Sequence, residues 1–250
     1  MVTSSFFSGI TSGVITVIIC NPIDVFKTRI QSSNKYGIYT IIKKEKISGF
    51  YKGASSAFFA MPIFWGLYFP IYENNKKYMN NSLAGYSASL VGSLISNPFW
   101  VARTRLQAQI LHKNRNYKGT LDVLKQVYQK EGFRALFRGY TMTILGNLQF
   151  VISMPIYEEI KKKNNNSTIS IIFGSAIAKS ISGSIVYPHE VIRTIMRNQN
   201  YSFNKTINCL YSNSGLLGFY RGFPLYLMRT IPFSISIFLS YELNKSLIFK

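Results

Sequence analysis

The stretch NPIDVFKTRIQ, Asn21 to Gln31, returns as NPFWVARTRLQ from Asn97 and as YPHEVIRTIMR from Tyr187. In each copy a proline (Pro22, Pro98 or Pro188) ends a long run almost free of charge. Two positions later stand Asp24, Trp100 and Glu190, and five positions later Lys27, Arg103 and Arg193. A proline inside an apolar helix removes one backbone hydrogen bond and bends the helix, and side chains three apart share a helix face. Each copy therefore reads as a helical elbow carrying an acid and a base, with an indole replacing the acid in the second.

Two further markers follow each elbow in the same order. GFYKG ends at Gly53, ALFRG at Gly139 and GFYRG at Gly222; YENNK then begins at Tyr72, YEEIK at Tyr157 and YELNK at Tyr241. Three markers recurring three times are the signature of an internal repeat, and they divide the chain into units at 1–80, 81–165 and 166–250.

Charge placement sets the class. Met1 to Ile23, Ala54 to Tyr72, Tyr78 to Ala102 and Gly139 to Tyr157 carry no charge, while Asn164 to His189 and Gly222 to Tyr241 carry one each, Lys179 and Arg229. Six runs of about 20 residues match six membrane crossings. The mean hydropathy of +0.10 is low for such a protein, but the runs are rich in Ser, Gly, Thr and Asn, as expected if one face lines water. The net charge is +20, and 20 of the 29 Lys and Arg lie in 27–53, 103–138 and 193–221. The positive-inside rule assigns these segments to the matrix or cytoplasmic side. A soluble basic nucleic-acid-binding protein is the alternative, but the basic residues flank apolar spans and form no recognisable nucleic-acid module.

Cys20 and Cys209 suggest neither a disulfide framework nor a metal site, and His112 and His189 are as isolated. No catalytic set is visible, so neither an enzyme nor a cofactor is expected. The first apolar run continues into the Pro22 motif and reads as a span rather than a leader.

Together these residues resemble the mitochondrial carrier family, whose signature is Pro-x-[Asp/Glu]-x-x-[Lys/Arg]-x-[Lys/Arg]-x-Gln, then a Gly-rich aromatic marker, then an aromatic-acidic-x-x-basic motif, in three repeats. The resemblance covers essentially the whole chain. The first copy fits through Arg29 and Gln31; the second departs at Trp100; the third has Ile195 and Arg197 where the last basic residue and the glutamine belong. The resemblance implies an all-α membrane protein, with six transmembrane helices in a pseudo-threefold barrel of three two-helix repeats and short surface helices on the matrix side. LDVLKQVYQKEG, Leu121 to Gly132, is the clearest of these, with Leu121, Leu124, Val127 and Tyr128 expected on one membrane-facing side. The implied location is the inner mitochondrial membrane, or the membrane of a related or reduced organelle, and the chain is expected to act as a monomer with cardiolipin as a candidate lipid.

Finer wording narrows the branch. WGLYF from Trp65 resembles the second helix of the folate, flavin and pyridine nucleotide carriers, and YPHEVIRT resembles the pyrimidine nucleotide and NAD carriers. The substrate expected on this basis is a small anion with a ring system: a nucleotide, dinucleotide, folate or flavin, exchanged by alternating access. A carrier for another small metabolite is the alternative within the family. The family's contact positions fall near Ala60, at Leu145, Gly146 and Asn147, and at Arg229, with Trp65 and Gln149 a turn or so further along, and Lys179 is the other charge well inside a span. Such charges are costly unless they face water, a partner or a ligand. The resemblance further implies a matrix gate of Asp24 with Arg103 and Glu190 with Lys27, in which Trp100 leaves Arg193 without its partner. It also implies a cytoplasmic gate of Glu73, Glu158 and Glu242 with Lys76, Lys161 and Lys245.

Overall fold

The computed structural model describes residues 2–33, 43, 45–112, 114–163, 168–230 and 232. Among them every regular element is helical. The longer helices are α1 (Val2–Ser32), α2 (Ala54–Asn75), α3 (Asn81–Gln107), α4 (Thr120–Glu131), α5 (Tyr140–Lys163), α6 (Thr168–Gln199) and α7 (Phe203–Ser214). Residues 223–230 are helical as well. Helices α1, α3 and α6 run unbroken through Pro22, Pro98 and Pro188. At 1.5 Å per residue the 27 residues of α3 span about 40 Å, more than the hydrocarbon core of a bilayer.

The glycines that end the second marker close a cycle. Gly53, Gly139 and Gly222 have φ of 75°, 78° and 76°, a left-handed conformation that side chains resist, and each seats against an elbow. A Cβ on Gly53 would lie 3.0 Å from the Arg103 carbonyl, and one on Gly139 would lie 3.3 Å from the Arg193 carbonyl. One on Gly222 would lie 3.4 Å from Lys27 Cγ and from the Tyr187 hydroxyl. The first unit thus rests on the second, the second on the third and the third on the first.

Polarity is inverted relative to a water-soluble bundle. Ser89, Ser93, Ser96 and Asn97 of α3 are buried, whereas Val91, Leu94 and Ile95 on the same helix are exposed. Ile177, Ile181 and Ile185 form an outward stripe on α6, with Ile185 62% exposed. An apolar exterior around a polar interior suits a lipid surround. Only the helical stretch Ile47–Asn75 is, among the described residues, long and apolar enough to cross a membrane by composition. The six runs of the sequence are set by absence of charge, not by apolarity, and serines such as those of α3 dilute their hydropathy.

The surface helix corrects one expectation. Leu121, Leu124, Val127 and Tyr128 do not share a side: Val123 and Val127 are buried against Ala102, Leu106 and Ala135, with Leu124 partly buried, while Leu121 and Tyr128 are 73% and 59% exposed. Thr120 fixes this rotation through hydrogen bonds with the Ser55 and Ser56 hydroxyls, both 2.9 Å. The helix is apolar on two sides, one for the protein and one for the surroundings. Helix α7 repeats the arrangement, with Thr206 and Leu210 buried and Tyr211 exposed.

Candidate functional site

The elbows converge on Asp24. Its Oδ2 accepts from Arg103 Nη2 at 2.9 Å, its Oδ1 lies 2.7 Å from Arg229 Nε, and Lys27 Nζ is 4.0 Å away. Lys27 is closer to Glu190, at 2.5 Å. These side chains are buried or nearly so, hence the pairs operate where water screens them little. Arg103 Nη2 also donates to Asn21 Oδ1 at 2.9 Å, and its guanidinium lies 5.4 Å from the Trp100 ring centre. One carboxylate therefore ties together all three repeated units.

A second tier lies one turn on. Thr28 Oγ1 donates to Gln107 Oε1 and Thr194 Oγ1 to Gln31 Oε1, both at 2.8 Å, and Gln31 Nε2 donates to the Tyr187 hydroxyl at 3.0 Å. In the third copy Arg197 stands for glutamine, and its Nη2 donates to Asn97 Oδ1 at 2.7 Å. Thr28 and Thr194 each stand six positions after a proline, a spacing that could have marked this tier; Thr104, at the same place in the second copy, donates instead to the Trp100 carbonyl at 2.9 Å.

Beside the ion pairs lies a cavity of about 280 Å³. Met61, Phe64 and Trp65 of α2 and Trp100 of α3 supply its apolar lining; Lys179, Arg193 and Arg197 of α6 and Arg229 supply much of its positive charge. Trp65 and Trp100 also pack on the buried cluster of Val17, Ala57 and Met61, which holds both indoles in place. Asn147 lines the cavity and donates to Ser93 Oγ at 3.1 Å.

Other expected contacts are placed differently. Gln149 is not in the lining; its Nε2 donates to the Lys179 carbonyl at 3.2 Å and the Tyr226 hydroxyl at 2.9 Å, joining α5 to its neighbours. Gly146 is also absent from the lining, and a Cβ there would overlap the His189 ring, so its lack of a side chain serves packing. Glu73 pairs with Lys76, the residue that caps its helix, at 2.5 Å. Both side chains are more than two-fifths exposed, where so local a pair is easily made and contributes little. Glu242 and Lys245 lie outside the described residues, as do the side chains of Glu158 and Lys161. Met61, Phe64, Ser93 and Thr143 are lining residues that the sequence did not single out, and Arg197, noted there as a departure from the signature, lines the cavity as well.

Sequence comparison supplies the context for this geometry. The family model described as mitochondrial carrier protein matches residues 1–83, 74–168 and 164–250. The chain belongs to the mitochondrial carrier family. It is a membrane transport protein of the inner mitochondrial membrane. The mitochondrial nicotinamide adenine dinucleotide transporter 1 of Saccharomyces cerevisiae is 33% identical over 96% of this chain and 74% of its own length. Nicotinamide adenine dinucleotide transporter 2 of Arabidopsis thaliana, also mitochondrial, is 30% identical over 94% of this chain and 77% of its own. Human solute carrier family 25 member 33 is 28% identical, over 95% and 92%.

Proposed function

We propose that this carrier exchanges a nucleotide-like anion, with a dinucleotide such as NAD first in order, across the inner mitochondrial membrane by alternating access. The observation that carries the reading is the two-sided cavity. An aromatic lining of Phe64, Trp65 and Trp100 suits a planar base, and Lys179 and Arg229 suit phosphate oxygens. The names of the yeast and Arabidopsis relatives point the same way. The reading takes the three units, 1–80, 81–165 and 166–250, as two-helix repeats of a six-helix barrel.

In this scheme the pairs around Asp24 and Glu190 form the matrix gate, closed here, and the Glu73, Glu158 and Glu242 positions form the other. Because Asp24 holds Arg229 as well as Arg103, a ligand phosphate drawing on Arg229 loosens the gate it rests upon. A ligand shifts the two states only by its differential affinity for them, and competition for Arg229 supplies such a difference. The test is uptake of labelled NAD into proteoliposomes loaded with unlabelled nucleotide. Uptake that needs internal nucleotide supports exchange; uptake without it means uniport; none with NAD, pyrimidine nucleotides, folates or flavins overturns the reading.

A further inference from the structure

At the second elbow Trp100 stands where the other copies have Asp24 and Glu190, and the cation facing that vacancy in the pattern is Arg193. Its neighbour on α6, Glu190, is engaged by Lys27 at 2.5 Å, and among the described residues Arg193 makes no ion pair. One turn on, Arg197 replaces the glutamine of the first two copies. Arg197 is 6% exposed; its Nη2 donates to Asn97 Oδ1 at 2.7 Å and Thr143 Oγ1 at 3.1 Å, both neutral, and its Nε is buried without an acceptor. Both arginine stems pack against Gly139, so the two side chains lie along one face of α6, and both line the cavity. Like charges four apart on a helix repel, and a buried charge lacking its counter-charge is costly. An anion between them removes both penalties.

We infer that Arg193 and Arg197 form an anion subsite in the cavity floor, which takes a phosphoryl group of the transported ligand in place of the acid absent at position 100. The inference rests on the exchange reading above. Paired guanidinium groups present several donors to phosphate oxygens in a geometry that ammonium groups lack. The ligand then completes the third ion pair of the gate, and a phosphorylated ligand is recognised by the same corner that senses closure. Trp100 beside it leaves room for a ligand group that a carboxylate would repel.

The experiment is thermal unfolding of the purified full-length protein with NAD, with inorganic pyrophosphate and with adenosine. Wild type is expected to respond to NAD and pyrophosphate but not to adenosine. Trp100→Asp supplies an internal counter-charge, so it should abolish the pyrophosphate response and weaken NAD half-saturation by about tenfold, whereas Trp100→Phe adds no charge and keeps the pyrophosphate response. Arg193→Gln and Arg197→Gln should lose the pyrophosphate response; the second installs the glutamine of the other copies and so guards against misfolding. An unchanged pyrophosphate response in Trp100→Asp and both arginine variants overturns the subsite, as does Trp100→Phe losing as much of the pyrophosphate response as Trp100→Asp. If the wild type exchanges no nucleotide yet shows an arginine-dependent pyrophosphate response, the subsite stands and the exchange reading fails. Nucleotide exchange that the arginine variants leave intact, with no pyrophosphate response, overturns the subsite and keeps the exchange.

Discussion

In the first two repeats an arginine at the end of the long helix meets a glutamate before the second marker. Arg29 Nη1 is 2.5 Å from Glu45 Oε2, and Arg105 Nη2 donates to Glu131 Oε2 at 2.7 Å. In the third, Ile195 and Ser214 occupy the same two positions. Ile195 is buried in a cluster with Val191, Met196 and Leu210, and the Ser214 hydroxyl accepts from Arg221. Both members of the pair have changed together. A buried ion pair and a well-packed apolar substitute are close in free energy, whereas half of a pair is not, so the junction tolerates either solution but not a mixture.

The largest effect is expected of Arg105→Ala. Arg105 is fully buried and also donates from Nε to the Arg197 carbonyl at 3.1 Å, so its loss should cost about 3–5 kcal/mol. At about 2–4 °C per kcal/mol this lowers Tm by roughly 10 °C, and a fall of only a degree or two would mean that charge does not hold the junction. On the apolar side, Ile195→Ala should cost about 3 kcal/mol through lost burial and the cavity left behind. Denaturant unfolding that shows no loss would remove the cluster from the comparison.

Converting the second repeat to the wording of the third, Arg105→Ile with Glu131→Ser, should cost no more than about 1.5 kcal/mol, far less than Arg105→Ala alone. A double variant as unstable as the single one would show that the repeats are not interchangeable here. The same pair of proteins can be compared across pH. Burial alone would raise the Glu131 carboxyl, but hydrogen bonding to Arg105 and its charge hold it below the ordinary 4.5. A depressed carboxylate contributes stability that is complete above pH 4.5 and is lost as pH falls through the lower folded value. Wild type should lose this increment in acid; the double variant should not.

The smallest effect distinguishes the first repeat from the others. Lys46 has φ 56° and ψ −158°, a region almost reserved for glycine, where the later repeats place Gly132 and Gly215. Lys46→Gly should stabilise by about 1 kcal/mol, a rise of a few degrees in Tm; a fall would mean that the lysine side chain contributes more than its backbone costs.

How far the sequence could be read depended on the kind of information needed. The elbows, markers and helices were legible because motif spacing is a property of one segment. The pairs of Asp24 with Arg103 and Lys27 with Glu190 came through family likeness, since no local pattern joins residues 79 or 163 positions apart. The grip of Arg229 on Asp24 was not legible, nor was the turning of Gln149 toward Tyr226, because each depends on how one helix is rotated against another. Helix α4 shows the same limit: with apolar residues on two sides, periodicity could not say which side meets the protein, and Thr120 decided it.

The cycle of glycine contacts bears on how the molecule is made. The seams from the first unit to the second and from the second to the third join neighbours along the chain, but Gly222 meets Lys27 only after nearly the whole polypeptide has been synthesised. Contacts so distant in sequence are formed late, because the chain between them must be ordered first. Until then Asp24 lacks Arg229 and Lys27 lacks Glu190, leaving charges that the finished protein buries with part of their neutralisation missing. A chain that ends after its second unit therefore lacks the third-unit partners of Asp24 and Lys27, and the last unit is the one that completes their neutralisation.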